Sequence, residues 1–310
     1  MIVVTGGAGF IGSNLVRGLN AQGFDEIVVV DDLSDASKHL NLQDCRFVDY
    51  IDKDQLLGEF KNLGKIKAVF HQGGCAVTTE QNGRLMMETN FTYSKHLLHA
   101  CLGGRIPFIY ASSAAVYGTG HQPFREEPEL ERPLNVYGFS KLVFDRYVRN
   151  ILYKCESPVT GLRYFNVYGP GEEHKGNMAS VILNMWKQFQ KGETLKLFKG
   201  SENFMRDFVY VDDIVKINLH FLRSSRSGVF NCGTGETQSF LQLAEFVSAE
   251  LDGAKIERIE MPSLIDRQYQ SYTCADNSRL VETGYKQCFT KLGDGIRSYI
   301  SILENRSGSG

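Results

Sequence analysis

The sequence holds no CxxC pair and no Cys/His cluster at zinc-ligand spacing; its seven cysteines, an odd number, stand singly from Cys45 to Cys288. That excludes a zinc finger and a disulfide scaffold, and it leads to an expectation of reduced thiols, a cytoplasmic protein and no metal. A long basic run is missing as well, so neither a nucleic-acid surface nor an anionic membrane surface is expected. No charged or long apolar segment stands ahead of the opening Met1-Ile2-Val3-Val4-Thr5-Gly6, which gives no reading of a signal peptide or membrane span. Internal repeats, low-complexity tracts and heptads are absent, so the sequence carries no sign of a solenoid or coiled coil.

What remains is an ordinary globular balance: 310 residues, 42% hydrophobic and 23% charged, with 34 basic and 36 acidic side chains for a formal charge of -2. The length suits a nucleotide-binding domain plus a smaller lobe. Short apolar runs at Ile2–Thr5, Ile27–Asp31, Ala68–His71, Phe108–Ser112 and Val159–Arg163 read as strands buried on both faces. Helical spacing fills Ile11–Gln22, Gln55–Leu63, Arg84–Leu102 and Val136–Leu152. Such alternation predicts an α/β fold: a doubly wound parallel Rossmann sheet with a smaller mixed α/β lobe. Beyond Arg163, Asn166–Lys175 reads as loop, Ser180–Lys191 and Phe240–Leu251 as helices, and Arg206–Ile214 and Val229–Cys232 as strands or turns returning to the first domain. The expected division is 1–165 with a returning segment near 207–235 for the nucleotide domain, 166–206 and 236–305 for the lobe, and 306–310 as a flexible tail.

Gly7-Ala8-Gly9-Phe10-Ile11-Gly12 follows the first strand and opens a helix, and Gly6 adds an overlapping Gly6, Gly9, Gly12 spacing. Glycine lets the backbone close on a pyrophosphate, and the helix start offers free N–H groups and the positive end of its dipole. Asp31 ends the second strand nineteen residues after Gly12, where an acid receives ribose hydroxyls. Its neighbour Asp32 disfavours a 2′-phosphate, whereas Lys38 is placed either to neutralise one or to stand solvated at the surface.

Tyr137 and Lys141 are four apart, on one face of a helix. An adjacent ammonium is expected to lower the phenol's pKa and let it exchange a hydroxyl proton during hydride transfer. Ser113, at a strand's carboxyl end, is set to hydrogen-bond the reacting oxygen and the phenol. The two positions after it, Ala114 and Ala115, cannot carry protons, which argues against a dehydratase.

Thr5–Gly12, Ala111-Ser112-Ser113, Tyr137-x-x-x-Lys141, Arg163–Pro170, Arg206–Asp213 and Asn231–Gly235 together resemble the extended short-chain dehydrogenase/reductase family, as far as about Leu303. The resemblance implies a sugar-nucleotide substrate held between nicotinamide and the second lobe. Three further stretches, His71–Cys75, Glu173–Ser180 and Lys196–Phe204, resemble the family's ADP-heptose 6-epimerases, which serve lipopolysaccharide-core synthesis. That similarity implies tightly bound NADP, with NAD as the other nicotinamide, a homo-oligomer (a pentamer) and Lys175 as a second acid/base group. It implies cofactor contacts from Gly6, Gly9, Phe10, Ile11, Gly12, Asp31, Asp32, Lys38, Lys53, Gln72, Gly73, Gly74, Cys75, Asn90, Tyr137, Lys141, Val167 and Lys175. Substrate contacts are implied for Ser113, Asn166, Asn177, Phe198, Lys199, Gly200, Ser201, Arg206 and Tyr269. Asp32 departs from the asparagine usual at that position. The competing readings are another nucleotide-sugar epimerase, such as a 4-epimerase, and a non-catalytic NADP-binding regulator.

Overall fold

Five apolar runs and one polar one from residues 2 to 164 lie side by side: Ile2–Thr5 (β1), Ile27–Asp31 (β2), Asp49–Asp52 (β3), Ala68–His71 (β4), Phe108–Ser113 (β5) and Val159–Tyr164 (β6). In the computed structural model, which describes residues 1–119, 124–260 and 271–307, they form one parallel sheet with Gly228–Cys232 as a seventh strand. The spatial order is Gly228–Cys232, β6, β5, β4, β1, β2, β3. Alternate side chains feed opposite faces. Val4, Val29, Phe70, Ile109 and Leu162 pack with Leu15, Val16 and Leu19 of helix α1 (Phe10–Ala21) and with Ile214, Ile217 and Phe221 of a later helix. Val3, Val28, Val69 and Phe108 pack on the other side with Leu97, Leu98, Phe144 and Val148. Both faces are therefore buried, as a parallel sheet requires.

Among the described residues the further α-helices are α2 (Leu56–Glu59), α3 (Gly83–Met87), α4 (Ser94–Gly103), α5 (Val136–Ile151), α6 (Val181–Gln190), α7 (Val211–Leu222) and α8 (Phe240–Glu250), followed by Ser278–Glu282 and a closing helix, Leu292–Ser307. A separate apolar cluster joins α6, α8 and the closing helix through Ile182, Leu183, Leu243, Val247, Ile296 and Tyr299. Leu195–Phe198 and Ile256–Ile259 pair in parallel at its edge. Among the described residues, no helix is long and apolar enough to cross a membrane.

Several sequence expectations are corrected. Gln55–Leu63 holds one short helix, Leu56–Glu59, and a tighter turn over Phe60–Asn62. Arg84–Leu102 is interrupted by widened π-turns at Glu88–Tyr93. Asn166–Lys175 is not all loop, because Asn166–Tyr168 pairs with Phe208–Tyr210. Arg206–Ile214 turns helical at Val211, where Asp212 and Asp213 suit the positive end of α7. The closing helix runs through Ser307, with Arg306 ion-paired to Glu173 at 3.0 Å, so Arg306 and Ser307 are helical where a tail was expected.

Candidate active site

Gly9 caps α1 without a side-chain hydrogen bond, so the first amides of the helix have no side-chain oxygen in front of them. Gly6 has a φ of +65°, and a Cβ there would lie 2.6 Å from the Gly73 nitrogen; a Cβ on Gly12 would lie 2.0 Å from the Gly6 carbonyl oxygen. Turn and neighbouring loop thus form a cradle closed to side chains but open to an anion. Asp31 projects from the end of β2 beside it. Its carboxylate accepts the Ala8 N–H at 2.8 Å, the Asp32 N–H at 2.7 Å and the Lys38 ammonium at 2.9 Å. Lys53 lies 3.4 Å from Asp32. The Ser34 N–H, more than Lys53, holds the Asp32 carboxyl down at about 2. These residues fit the adenosine half of a nicotinamide dinucleotide: glycine amides for the pyrophosphate, Asp31 for ribose hydroxyls.

The loop after β4 supplies the opposite wall. Asn90 reaches it from the π-turns, where its carbonyl oxygen accepts the Cys75 N–H at 2.8 Å and its amide donates to Cys75 O and to the Ser140 hydroxyl, each at 3.0 Å. Asn90 is buried, so it fixes the loop that carries Gly73, Gly74 and Cys75 rather than lining the cavity itself. His71 lies behind them. Ser94 Oγ donates to the Asn90 carbonyl and so accepts from His71 Nε2 at 2.8 Å, leaving Nδ1 to accept from Thr5 Oγ1 at 2.6 Å. Thr5 in turn accepts the Gly73 N–H at 3.2 Å. Burial depresses the imidazole to about 3, with Lys141 adding repulsion.

Helix α5 starts with Asn135 accepting the Gly138 N–H at 2.8 Å, which fixes Tyr137 in the first turn and Lys141 one turn on. Lys141 Nζ donates to the Ala111 carbonyl at 3.0 Å. Burial lowers the lysine to about 8, against the pull of Asp145 one turn further along. Asp145 is fully buried and accepts from Tyr110 Oη and Ser112 Oγ at 2.9 Å each and from Arg163 Nε at 2.8 Å. Ser113 Oγ accepts the Ala115 N–H at 3.1 Å and hydrogen-bonds the Tyr137 phenol. The phenol itself is pushed above its usual range by burial, which outweighs the Ser113 bond. The expected lowering by Lys141 is not found: burial sets the direction, and the hydrogen bond that opposes it comes from Ser113. Burial thus works against the phenolate and the Ser113 bond works towards it.

From the other side comes Lys175. Asn14 donates to the Pro170 carbonyl at 2.7 Å and Asn41 to that of Gly171 at 3.0 Å, so this loop is tied to α1 and the phosphate turn. Lys175 Nζ lies 5.1 Å from the centre of the Phe10 ring. One cavity of about 1090 Å³ is lined by Gly6, Gly9, Phe10, Ile11, Gly12, Asp31, Asp32, Lys38, Lys53, Gln72, Gly73, Gly74, Cys75, Ser113, Tyr137, Lys141, Asn166, Val167 and Lys175. Asn177, Phe198, Lys199, Gly200, Ser201 and Arg206 do not line it. Asn177 is exposed, Lys199 is ion-paired with Glu260, and Arg206 stacks 5.6 Å from Phe240, whose ring does line the cavity. Tyr269 lies outside the described residues. Sequence reasoning missed Asn41, Asp145 and Glu172, all buried polar groups; Asp145 carried a signal, standing four residues after Lys141, and Glu172 another, three residues before Lys175.

The model of the NAD dependent epimerase/dehydratase family matches residues 2–233. The ADP-L-glycero-D-manno-heptose-6-epimerase of Brachyspira hyodysenteriae is 49% identical over 315 residues, covering 99% of each chain. The crystal structure of the Helicobacter pylori ADP-L-glycero-D-manno-heptose-6-epimerase superposes with a TM-score of 0.85 at 30% identity, covering 98% of this chain and 96% of that one. UDP-glucose 4-epimerase from Thermotoga maritima, solved with UDP-glucose, gives a TM-score of 0.86 at 26% identity, covering 98% and 99%. With a parallel sheet, a glycine cradle and a Tyr–Lys pair in one cavity, this chain belongs to the NAD dependent epimerase/dehydratase family.

Proposed function

We propose that the chain is an epimerase that inverts C6 of the heptose in ADP-D-glycero-β-D-manno-heptose to give the L-glycero epimer, a precursor for lipopolysaccharide core. One observation carries the reading: two proton-bearing groups, Tyr137 and Lys175, line the same cavity, approached from different elements. Nicotinamide, when bound, supplies reversible hydride acceptance. Ser113 and Tyr137 hold the reacting oxygen, and Tyr137, as the phenolate, accepts the hydroxyl proton when the carbon is oxidised. Lys141 fixes the neighbourhood of the phenol. Inversion requires the oxidised carbon to present its opposite face, so its oxygen then meets a proton donor from a second direction, and Lys175 is that group. The similarity to heptose 6-epimerases supports the sugar. Asn166 belongs to the substrate side of the cavity; Asn177, Phe198, Lys199, Gly200, Ser201 and Arg206 reach substrate only if the lobe closes on it. Lys38 and Lys53 support NADP, whereas Asp31 and Asp32 leave NAD open. A cytoplasmic homo-oligomer, pentameric by resemblance, completes the reading.

The test is incubation of the purified protein with ADP-D-glycero-β-D-manno-heptose and chromatographic separation of the two C6 epimers. An equilibrium mixture is expected. Retained nicotinamide with no conversion would favour a binding protein, and conversion of a UDP-hexose at C4 instead would favour a 4-epimerase.

A further inference from the structure

The reaction proposed above gives Lys175 a proton to carry and leaves unused a carboxylate buried beside it. Glu172 has 0% of its surface exposed. Its two oxygens accept the Ser180 N–H at 2.7 Å and the Ser180 hydroxyl at 2.5 Å, and the Tyr299 phenol of the closing helix lies next to it. Ser180 is the N-cap of α6, so the carboxylate is anchored to a helix end. All of these donors are neutral, and a carboxylate withdrawn from water needs a cation. Among the described residues its ion-pair partner is Lys175, with Nζ 3.8 Å away. The ammonium sits between this fixed oxygen and the Phe10 ring at the mouth of the phosphate turn.

We infer that Glu172 is the positioning residue for Lys175: it holds the ammonium against Phe10, inside the cavity, and keeps it charged as the second proton donor. This rests on the reading of Lys175 given under the proposed function. Burial works against the charge and Glu172 restores part of it. Around the pair, His174 and Glu173 stand on the same loop; Lys38, Asp35 and Asp31 act on that histidine from the β2 side; Tyr299 and Arg306, the latter paired with Glu173, come from the closing helix. Of these, the Glu172 carboxylate is the charge that acts directly on Lys175.

The experiment uses the full chain as purified with its cofactor, as wild type, Glu172→Gln, Glu172→Asp and Lys175→Met. Trace acetylation across a pH series, read by peptide mass spectrometry, gives the titration midpoint of Lys175 without relying on activity. In Glu172→Gln the midpoint should fall by roughly one to two pH units, and the limb of the pH–rate profile should move with it for both epimers. Glu172→Asp, which keeps the charge, should recover most of both shifts and serves if the glutamine variant fails to fold. An unmoved midpoint overturns the inference. A uniform loss of rate with the pH limb in place also overturns it, because that is what a mere anchor for α6 would give. If Lys175→Met turns over both epimers at normal rates, the proton-transfer role of Lys175 falls, whatever the labelling shows for the pairing.

Discussion

His71 offers a sharp test, because its hydrogen-bond chain permits only the neutral ring. Nε2 donates to Ser94 and Nδ1 accepts from Thr5, so an added proton would turn Nδ1 into a donor facing a hydroxyl that already serves Gly73. The folded pKa is about 3 and the ring is 3% exposed. An unfolded histidine titrates near ~6.5. Between those values the unfolded state binds the proton and the native state does not, so stability falls as pH drops from about 6.5 towards about 3 and is unaffected by this group above that window. From pH 7 to pH 5 the loss attributable to this one ring is about 2 kcal/mol. That is a sizeable part of a typical stability of roughly 5–15 kcal/mol. His71→Gln keeps a polar side chain of similar reach without the titration. Urea unfolding of both proteins at pH 7 and pH 5, followed by far-UV circular dichroism and by the fluorescence of the single tryptophan, Trp186, isolates the effect from carboxylate protonation. The wild type should lose about 2 kcal/mol more than the variant. Equal losses in the two proteins would refute the reasoning.

Gly12→Ala places a methyl group against the Gly6 carbonyl, a backbone atom with little room to yield; calorimetric titration should find dinucleotide affinity reduced at least roughly tenfold with the fold retained. Tyr137→Phe removes the hydroxyl and should lower kcat by roughly 10²–10⁴ in steady-state assays while leaving cofactor binding near normal. Lys38→Ala should weaken NADP binding more than NAD binding, measured by competition, since the ammonium now bonded to Asp31 is the group placed to meet a 2′-phosphate. Asp145→Asn leaves Arg163 short of a buried partner and should cost about 3–5 kcal/mol in urea denaturation.

The strands legible in the sequence were those buried on both faces. β1, β2 and β4 begin and end where their apolar runs do, and β5 and β6 each extend one residue further. β3 escaped because it is a sheet edge: in Asp49-Tyr50-Ile51-Asp52 only Ile51 is fully buried, which leaves no hydrophobic run to read. The glycine cradle and the Tyr137–Lys141 pair were legible because their geometry is local, set by a turn and by helical periodicity. The upward push on the Tyr137 phenol was not, since it comes from burial in the folded chain. Asn41 was invisible for a related reason, since its contacts with Ala8 and Gly171 follow no spacing rule, and Glu172, three residues before Lys175, gains its meaning only from burial.

The strand Gly228–Cys232 lies against β6 although more than sixty residues of lobe and connecting helix separate them in sequence. During synthesis the ribosome must therefore release the first part of the lobe before the nucleotide half can cover that flank of its sheet. Until then the nascent chain shows an unpaired β6 margin, the kind of edge that recruits other strands. A fragment cut after β6 would carry the cofactor turn and the Tyr–Lys pair and still be prone to self-association. Trimming this enzyme to a minimal nucleotide-binding unit would have to graft the late strand back on.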